Sequence, residues 1–312
     1  MNTFSTVILL FIHLTITLSS FNNTNFPIIA ILSFPIPPNE TEQITKSTIW
    51  GGYIRWLEQS GSLIIPIHPW YNTTEIDSIL NITNGILFIG GKRTVHINYQ
   101  YEQTMLYIFN KVVSFNQNGN YYPLFAICFG YQTLPVFIAL NDTLIQDTNC
   151  VKKYIKVNLT SYANRSKLLS NFSQKEIDIL LHTNSTYQLH VKGILKERYQ
   201  MFPNVSDFYE VISYGTDDNG NVFINAIESK DYPIYGIQYH PEVIPFSRRE
   251  GFNENTKNAL IISQLHSLFF ISEAYKNKNK IEYEELKKFK FISTYETKDY
   301  YTVENNYYNF NK

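Results

Sequence analysis

The residues of this sequence that are best suited to covalent chemistry are a cysteine and a histidine, each at the end of an apolar run. Cys128 ends such a run in FAICFGYQTL, and His240 ends another in YGIQYHPE, two residues before Glu242. A thiol nucleophile requires a base, and the base requires an acceptor that orients it. Together the three residues predict nucleophilic catalysis, with Cys128 as nucleophile, His240 as base and acid, and Glu242 as the orienting carboxylate.

The residues around Cys128 predict a sharp turn from a strand into a helix. Ala126 and Gly130 flank it two residues away on either side, and a crowded strand–helix elbow requires small side chains there. The elbow would place the backbone N–H of Phe129 beside the thiol, at the positive end of the following helix, where it helps to stabilise a thiolate and an oxyanion. Taken alone, the motif also fits a buried and inert cysteine.

A glycine pair, Gly90 and Gly91, ends the apolar run GILFIGG. Backbone without side chains at a strand end allows close approach to a tetrahedral intermediate, so an N–H of this pair is a candidate second oxyanion donor. A plain turn after a strand explains the same two residues equally well.

The chain has two cysteines, Cys128 and Cys150, and therefore lacks the dense disulfide framework of small secreted domains. The two could pair with each other, or they could be separate thiols. A chain of this length does not need a disulfide to stabilise its core.

Alternation of buried strands and helical patterns in the first half predicts an α/β fold, with a mostly parallel central sheet flanked by helices. The predicted strands are PIIAILSF, SLIIPI, NGILFIGG and YYPLFAIC. The predicted helices lie in TIWGGYIRWLEQSG, from about residue 101 to 115, and from about residue 130 onward. The weaker pattern over residues 142–181 predicts a surface insertion of loop and helix.

The second half predicts additional antiparallel strands and one long helix. The strands are TYQLHVKGI, FYEVISYG and VFINAIES, with TDDNGN as the turn between the last two, then YPIYGIQYHPE and finally KFKFIST. The helix covers about six turns in NTKNALIISQLHSLFFISEAYKN. Since no inter-domain linker is evident, residues 21–312 are predicted to form a single domain.

The N-terminal residues 1–20 predict a secretory signal peptide, because the uncharged apolar stretch VILLFIHLTITLSS ends in small residues. No later stretch approaches the length of a transmembrane helix, so no membrane anchor is expected. Sequons for N-glycosylation support the secretory route, and the candidate acceptors are Asn72, Asn81, Asn141, Asn158, Asn164, Asn171 and Asn204. The predicted location is the extracellular space or a lysosomal or vacuolar lumen. A net charge of −1 over 312 residues, with no basic stripe, gives no indication of nucleic-acid binding.

The segments ICFGYQTL, GILFIGG and YGIQYHPE together resemble the class I glutamine amidotransferase-like superfamily, and the chain is most similar to its gamma-glutamyl hydrolase family. The resemblance extends from PIIAIL to the long C-terminal helix. It implies a Cys128–His240–Glu242 triad that cleaves gamma-glutamyl bonds of folate poly-gamma-glutamates through a thioester, without metal or cofactor, in a protein that forms a homodimer. It also implies a histidine in the substrate cleft, which best matches His190, with His182 as the alternative.

The sequence departs from the family pattern at three places. Ala126 replaces a glycine, Gln132 stands where an acidic residue is common, and STIW replaces a tyrosine-rich segment. Gln132, as a neighbour of the substrate, is also a feature of amidotransferases. Two other functions therefore stay open: a glutaminase domain of an amidotransferase, and a catalytically inactive secreted glycoprotein of the same fold.

Overall fold

The computed structural model describes residues 26–36, 44–246, 254–295, 297–299 and 306–312. The predicted signal peptide at residues 1–20 lies outside these ranges, so the structure does not bear on it.

The described residues form fourteen strands and nine α-helices, together with short 3-10 helices. In chain order the strands are β1 (Ile28–Leu32), β2 (Phe34–Ile36), β3 (Lys46–Trp50), β4 (Leu63–Ile67), β5 (Gly85–Phe88), β6 (Leu124–Ile127), β7 (Gln146–Ile155), β8 (Asn158–Leu159), β9 (Thr186–Gly193), β10 (Tyr209–Thr216), β11 (Val222–Ser229), β12 (Ile234–Ile237), β13 (Thr297–Asp299) and β14 (Asn306–Asn311). The helices are α1 (Gly51–Glu58), α2 (Thr73–Leu80), α3 (Gln100–Gln117), α4 (Phe129–Ala139), α5 (Gln174–His182), α6 (Lys196–Tyr199), α7 (Pro203–Phe208), α8 (Glu254–Ala274) and α9 (Tyr283–Leu286).

An eight-stranded sheet in the order β4-β1-β5-β6-β12-β11-β10-β8 lies at the centre of the fold. Its first five strands are parallel, and β11, β10 and β8 continue it in antiparallel pairs. Every residue of β1, β5, β6 and β12 is buried, as expected when helices cover both faces of a parallel sheet. The predicted fold class, α/β with a mostly parallel central sheet and additional antiparallel strands, is confirmed.

Two smaller sheets stand beside the central one. Strands β13, β14, β3 and β2 form a four-stranded antiparallel sheet, and β7 pairs with β9 as a two-stranded ribbon. The predicted β10–β11 hairpin is present, with the Asp217 carboxylate accepting hydrogen bonds from the turn N–H groups of Asn219 and Asn221. The predicted antiparallel strand at TYQLHVKGI is also present, as β9, and its partner is β7.

The structure differs from the sequence expectations in four segments. The first predicted strand is divided at Ser33 between two sheets, and residues 46–50, which overlap the first predicted helix, form β3. The segment 142–181 contains the long strand β7 as well as the expected helix; register shifts in β7 break the alternation that would have revealed it. The prediction of a strand at KFKFIST is wrong. The segment forms turns with local hydrogen bonds, from Phe289 N–H to Leu286 O and from Thr294 N–H to Phe291 O.

The C-terminal ends of three neighbouring strands bring the candidate functional residues to one edge of the central sheet. The glycine pair follows β5, Cys128 follows β6, and His240 lies three residues beyond β12. In open α/β sheets this edge is where ligands bind. None of the helices in the described part of the chain combines the length and apolar character needed to span a membrane.

Candidate active site

Cys128 lies on a strained turn between β6 and α4. Its backbone has φ 52° and ψ −110°, which is unusual for a residue other than glycine. The turn is held by two hydrogen bonds, from Cys128 N–H to Ile237 O at 2.9 Å and from Gln132 N–H to Cys128 O at 2.9 Å. A side chain at Gly130 would meet the Phe88 carbonyl oxygen at 2.5 Å, so the helix can only approach β5 this closely with glycine there. This geometry is that of a strand–helix elbow that presents a thiol.

The elbow places the backbone N–H of Phe129 at the first position of α4. N–H groups in the first turn of a helix have no acceptor within the helix, so this one is available to a ligand. Ala126, buried in β6, lies opposite Gly236 of β12 and occupies its position without disturbing the register.

His240 and Glu242 form a buried pair. His240 Nδ1 lies 2.7 Å from Glu242 Oε1, and both side chains are less than a tenth exposed. Burial opposes a charge on the imidazole, but the neighbouring Cys128 thiolate and Glu242 carboxylate outweigh it and raise the pKa of His240 well above its usual value. Its other ring nitrogen, Nε2, is buried with no hydrogen-bond partner among the described residues. The arrangement favours an imidazolium that can donate a proton from Nε2.

Gly90 is the point where these groups meet. A Cβ atom built on it would lie 2.9 Å from His240 Cε1 and 3.2 Å from Cys128 Cβ. The Gly90 N–H donates to the Tyr53 hydroxyl at 2.9 Å. Gly91 packs against the ring of Phe34, and its N–H has no acceptor among the described residues. Of the two predicted backbone donors in the glycine pair, Gly91 is therefore the one with no hydrogen-bond partner in the described part of the chain.

Tyr53 was not predicted from the sequence as a member of this site. It lies in α1, is almost fully buried, and lines the same cavity as Cys128. Burial, followed by the charges of Glu242 and Cys128, raises its pKa well above 10, so its hydroxyl stays protonated. A tyrosine inside an amphipathic helix looks like an ordinary core residue, and only the packing of α1 against the strand ends reveals its position.

A chain of buried amides leads to the thiol. Gln238 Nε2 donates to Cys128 Sγ at 3.7 Å, and Gln132 Nε2 donates to Gln238 Oε1 at 3.2 Å and to Lys192 O at 2.8 Å. Gln132, predicted to contact substrate, thus lies beside the cavity, but its amide N–H groups are used within the protein. Gln238 was not singled out in the sequence, although it is the residue two before His240.

His190 lines the cavity, whereas His182 lies at the exposed C-terminal end of α5. The His190 imidazole is hydrogen-bonded on both sides, Nδ1 to Thr148 Oγ1 at 2.8 Å and Nε2 to Gln188 Oε1 at 3.2 Å. Burial, reinforced by the charge of His240, lowers the pKa of His190 to about 3. It is therefore a neutral side chain at ordinary pH.

The cavity that contains Cys128 and His240 has a volume of about 1140 Å³. Aromatic residues form much of one side, including Phe34, Trp50 and Tyr307. Its volume is sufficient for an extended ligand of several residues.

Cys150 does not belong to this site. Both cysteines are free, and Cys150 is buried in β7 opposite His190 in the ribbon. Burial, together with the charge of Asp218, raises the pKa of Cys150 to about 11, which keeps its thiol protonated and unreactive. Within the described residues, no group of three or more His, Cys, Asp or Glu side chains is arranged to hold a metal ion.

The fold and the site together define an α/β protein of the class that presents a cysteine on a strand–helix elbow beside a histidine–glutamate pair. The chain belongs to the Peptidase C26 family, which matches residues 27–242, and within it to the gamma-glutamyl hydrolases. It is therefore a hydrolase of the peptidase type.

The relatives support this assignment over most of the chain. The chain is 30% identical over 270 residues to gamma-glutamyl hydrolase B of Dictyostelium discoideum, covering 86% of this chain and 77% of that protein. It is 28% identical to the gamma-glutamyl hydrolase of Rattus norvegicus, covering 83% and 80% of the two chains.

Solved structures similar to the chain include two proteins of lower identity. One is a glutamine amido transferase from Methylobacillus flagellatus, at 11% identity and a TM-score of 0.45, covering 82% of this chain and 97% of that one. Another is PurLQS from Thermotoga maritima, at 13% identity and a TM-score of 0.47, covering 78% and 99%.

Proposed function

We propose that this protein hydrolyses gamma-glutamyl bonds through a covalent thioester on Cys128, with folate poly-gamma-glutamates as substrates. The observation that carries the proposal is that a thiol on a strained elbow and the buried His240–Glu242 pair meet at Gly90, two residues after the end of β5. Membership of the gamma-glutamyl hydrolases supports the choice of bond. The folate portion of the substrate rests on family resemblance.

In the first half of the reaction the Cys128 thiolate attacks the gamma-carbonyl carbon. The carbonyl π electrons move to oxygen, and in this proposal the N–H groups of Phe129 and Gly91 bind the oxyanion. His240 then donates its Nε2 proton to the leaving nitrogen as the C–N bond breaks. The amine departs, and the acyl group remains on sulfur as a thioester.

In the second half the neutral His240 removes a proton from water, and the resulting hydroxide adds to the thioester carbonyl. The C–S bond breaks, which regenerates the thiolate beside the imidazolium and yields a gamma-carboxylic acid that releases its proton to solvent. Glu242 holds Nδ1 throughout, which keeps Nε2 directed at the reacting atoms. No step requires a metal or a cofactor.

The experiment is turnover of pteroyl-tri-gamma-glutamate, with products sized by mass spectrometry, for wild type, Cys128→Ala and Cys150→Ala. We expect loss of at least about 10³-fold for Cys128→Ala, in keeping with removal of a catalytic nucleophile, and wild-type rates for Cys150→Ala. Trapping of an acyl adduct on Cys128 would identify the intermediate. Full activity of Cys128→Ala would overturn the mechanism, and ammonia release from glutamine without peptide cleavage would favour a glutaminase instead.

We also propose a secretory setting and a homodimer. All seven candidate acceptor asparagines have exposed side chains, which is compatible with glycan attachment. Glycosidase treatment of the protein expressed in a eukaryotic host, followed by mass measurement, tests the first proposal. Light scattering at several protein concentrations tests the second.

A further inference from the structure

A β-bulge in the β7–β9 ribbon lies beside the catalytic cavity. Val151 pairs with Leu189 and Lys153 pairs with Gln188, so Lys152 is an extra residue with no partner across the ribbon. Its backbone has φ 53°, in the left-handed region that a lysine rarely adopts. Bulges of this kind re-aim a side chain, and strained residues often occur at functional sites.

The bulge lies in the wall of the cavity. In a regular strand, successive residues point to opposite faces. Here Val151 and Lys152 both line the cavity, while Lys153 forms an ion pair with Asp218. The strained bulge residue is thus a cation at the cavity that holds Cys128.

The charges that line this cavity are strongly unbalanced. Apart from Cys128, His240 and Glu242, the charged residues that line it are Lys92, Arg93, Lys152 and Lys192, and all four are cationic. Two of the cations are neutralised by neighbours: Arg93 by the buried Glu102 at 2.9 Å and Lys192 by Asp147 at 2.6 Å. Lys92 and Lys152 form no ion pair with any described residue. Glu242 is already engaged with His240.

We propose that Lys152, assisted by Lys92, binds the alpha-carboxylates of a gamma-linked glutamate chain and so selects anionic substrates. A gamma-glutamyl chain carries one free alpha-carboxylate per residue, and the cavity offers two ammonium groups that have no ion-pair partner among the described residues. This inference rests on the proposed function, because it concerns the same cavity and substrate class. Lys152 acts as a specificity-determining residue, not as a catalytic one.

The apolar surface next to Lys152 is consistent with this orientation of the ligand. Val151 and Leu189 are each 39% exposed and Val191 is 59% exposed, although all three line the cavity. These side chains can make apolar contacts with the uncharged part of a ligand while its carboxylates face the lysines.

The test compares Lys152→Gln with the matched neighbour Lys153→Gln. With pteroyl-tri-gamma-glutamate we expect KM to rise about tenfold for Lys152→Gln, with kcat within twofold of wild type, and to stay near the wild-type value for Lys153→Gln. Lys152→Arg, which keeps the charge, should restore KM to within threefold. With a gamma-glutamyl substrate whose alpha-carboxyl groups are amidated, Lys152→Gln should have no effect.

Equal increases in KM for the anionic and the amidated substrates would overturn the proposal, since they would indicate a change of ribbon structure and not of charge. An unchanged KM for both would overturn it as well. A binding measurement separates this inference from the catalytic one. Calorimetry would give the Kd of pteroyl-tri-gamma-glutamate for the Cys128→Ala variant and for the Cys128→Ala/Lys152→Gln variant. If wild type does not cleave the substrate but Kd still depends on Lys152, the reaction assignment fails and the anion site stands.

Discussion

The Nδ1 atom of His240 lies 2.7 Å from Oε1 of Glu242, with both side chains buried at the end of β12. This contact occupies Nδ1 and leaves Nε2 as the ring nitrogen available for proton transfer. The following Pro241 disfavours the α region for the backbone of His240, and Glu242 holds its ring through Nδ1.

Replacing Glu242 by glutamine is expected to lower kcat by about 10²–10⁴-fold, as when other buried triad carboxylates are neutralised. Loss of that negative charge also lowers the pKa of His240. Since the protonated imidazole is the acid in the first half of the reaction, activity falls as pH rises through that pKa, and this alkaline limb should move to lower pH. The measurement is kcat as a function of pH. Glu284→Gln, on the exposed face of α9, is the control. An alkaline limb that does not move would contradict the assigned role.

The strain at Cys128 can be measured by comparing two substitutions that both remove the thiol. At φ 52° an alanine remains strained but a glycine does not. The free energy of unfolding of Cys128→Gly is therefore expected to be about 1 kcal/mol higher than that of Cys128→Ala. At ordinary backbone angles the order is reversed, because glycine costs more chain entropy. Chemical denaturation of both variants tests this. A less stable glycine variant would show that the elbow is not strained in solution.

Gln132→Glu introduces the acidic residue that is common in the family at this position. In this protein the change removes the amide group that donates to Gln238 Oε1 and to Lys192 O, so both oxygens lose that hydrogen bond. We expect destabilisation of about 1–3 kcal/mol and a lower kcat, because Gln238 loses the contact that directs its amide toward Cys128 Sγ. Thermal unfolding and turnover measure the two effects. Gln174→Glu, on exposed helix α5, serves as the control, and an equally stable Gln132→Glu variant would contradict the role of the amide chain.

Buried histidines make the fold sensitive to acid. Burial lowers the pKa of His266 to about 3, and the ring is hydrogen-bonded to the Tyr239 hydroxyl with Nδ1 unpartnered among described residues. Between about pH 6.5 and 3 the unfolded chain binds a proton at this residue and the folded chain does not, so stability falls as pH falls through this window. His266→Gln is expected to reduce the slope of unfolding free energy against pH there by about 1.4 kcal/mol per pH unit.

Denaturant titrations at several pH values would measure that slope. His182→Gln, which changes an exposed histidine, should leave the slope unaltered. If His266→Gln and wild type show the same slope, the ring is protonated in the folded protein and the assignment fails. His190 and His68, whose pKa values are lowered to about 3 and about 4, should add to the dependence in the same direction.

The sequence by itself determined the parallel core and the three strand ends on which the site is built. Continuous apolar runs of strand length are compatible with few secondary structures other than a buried strand. Cys128, His240 and Glu242 come directly after such runs. Small residues around Cys128 were informative for a similar reason, because only a tight turn requires them.

The tertiary structure decided what depends on contacts between distant segments. Tyr53 reaches Gly90 only because α1 packs over the end of β5, and β7 escapes prediction because its bulges disrupt the alternation of side chains. The choice between His190 and His182 follows from the pairing of β7 with β9, and so does the position of Lys152 in the wall of the cavity that holds Cys128. Strand pairing is set by the fit of whole surfaces and not by local sequence preference, which is why it could not be derived from the chain alone.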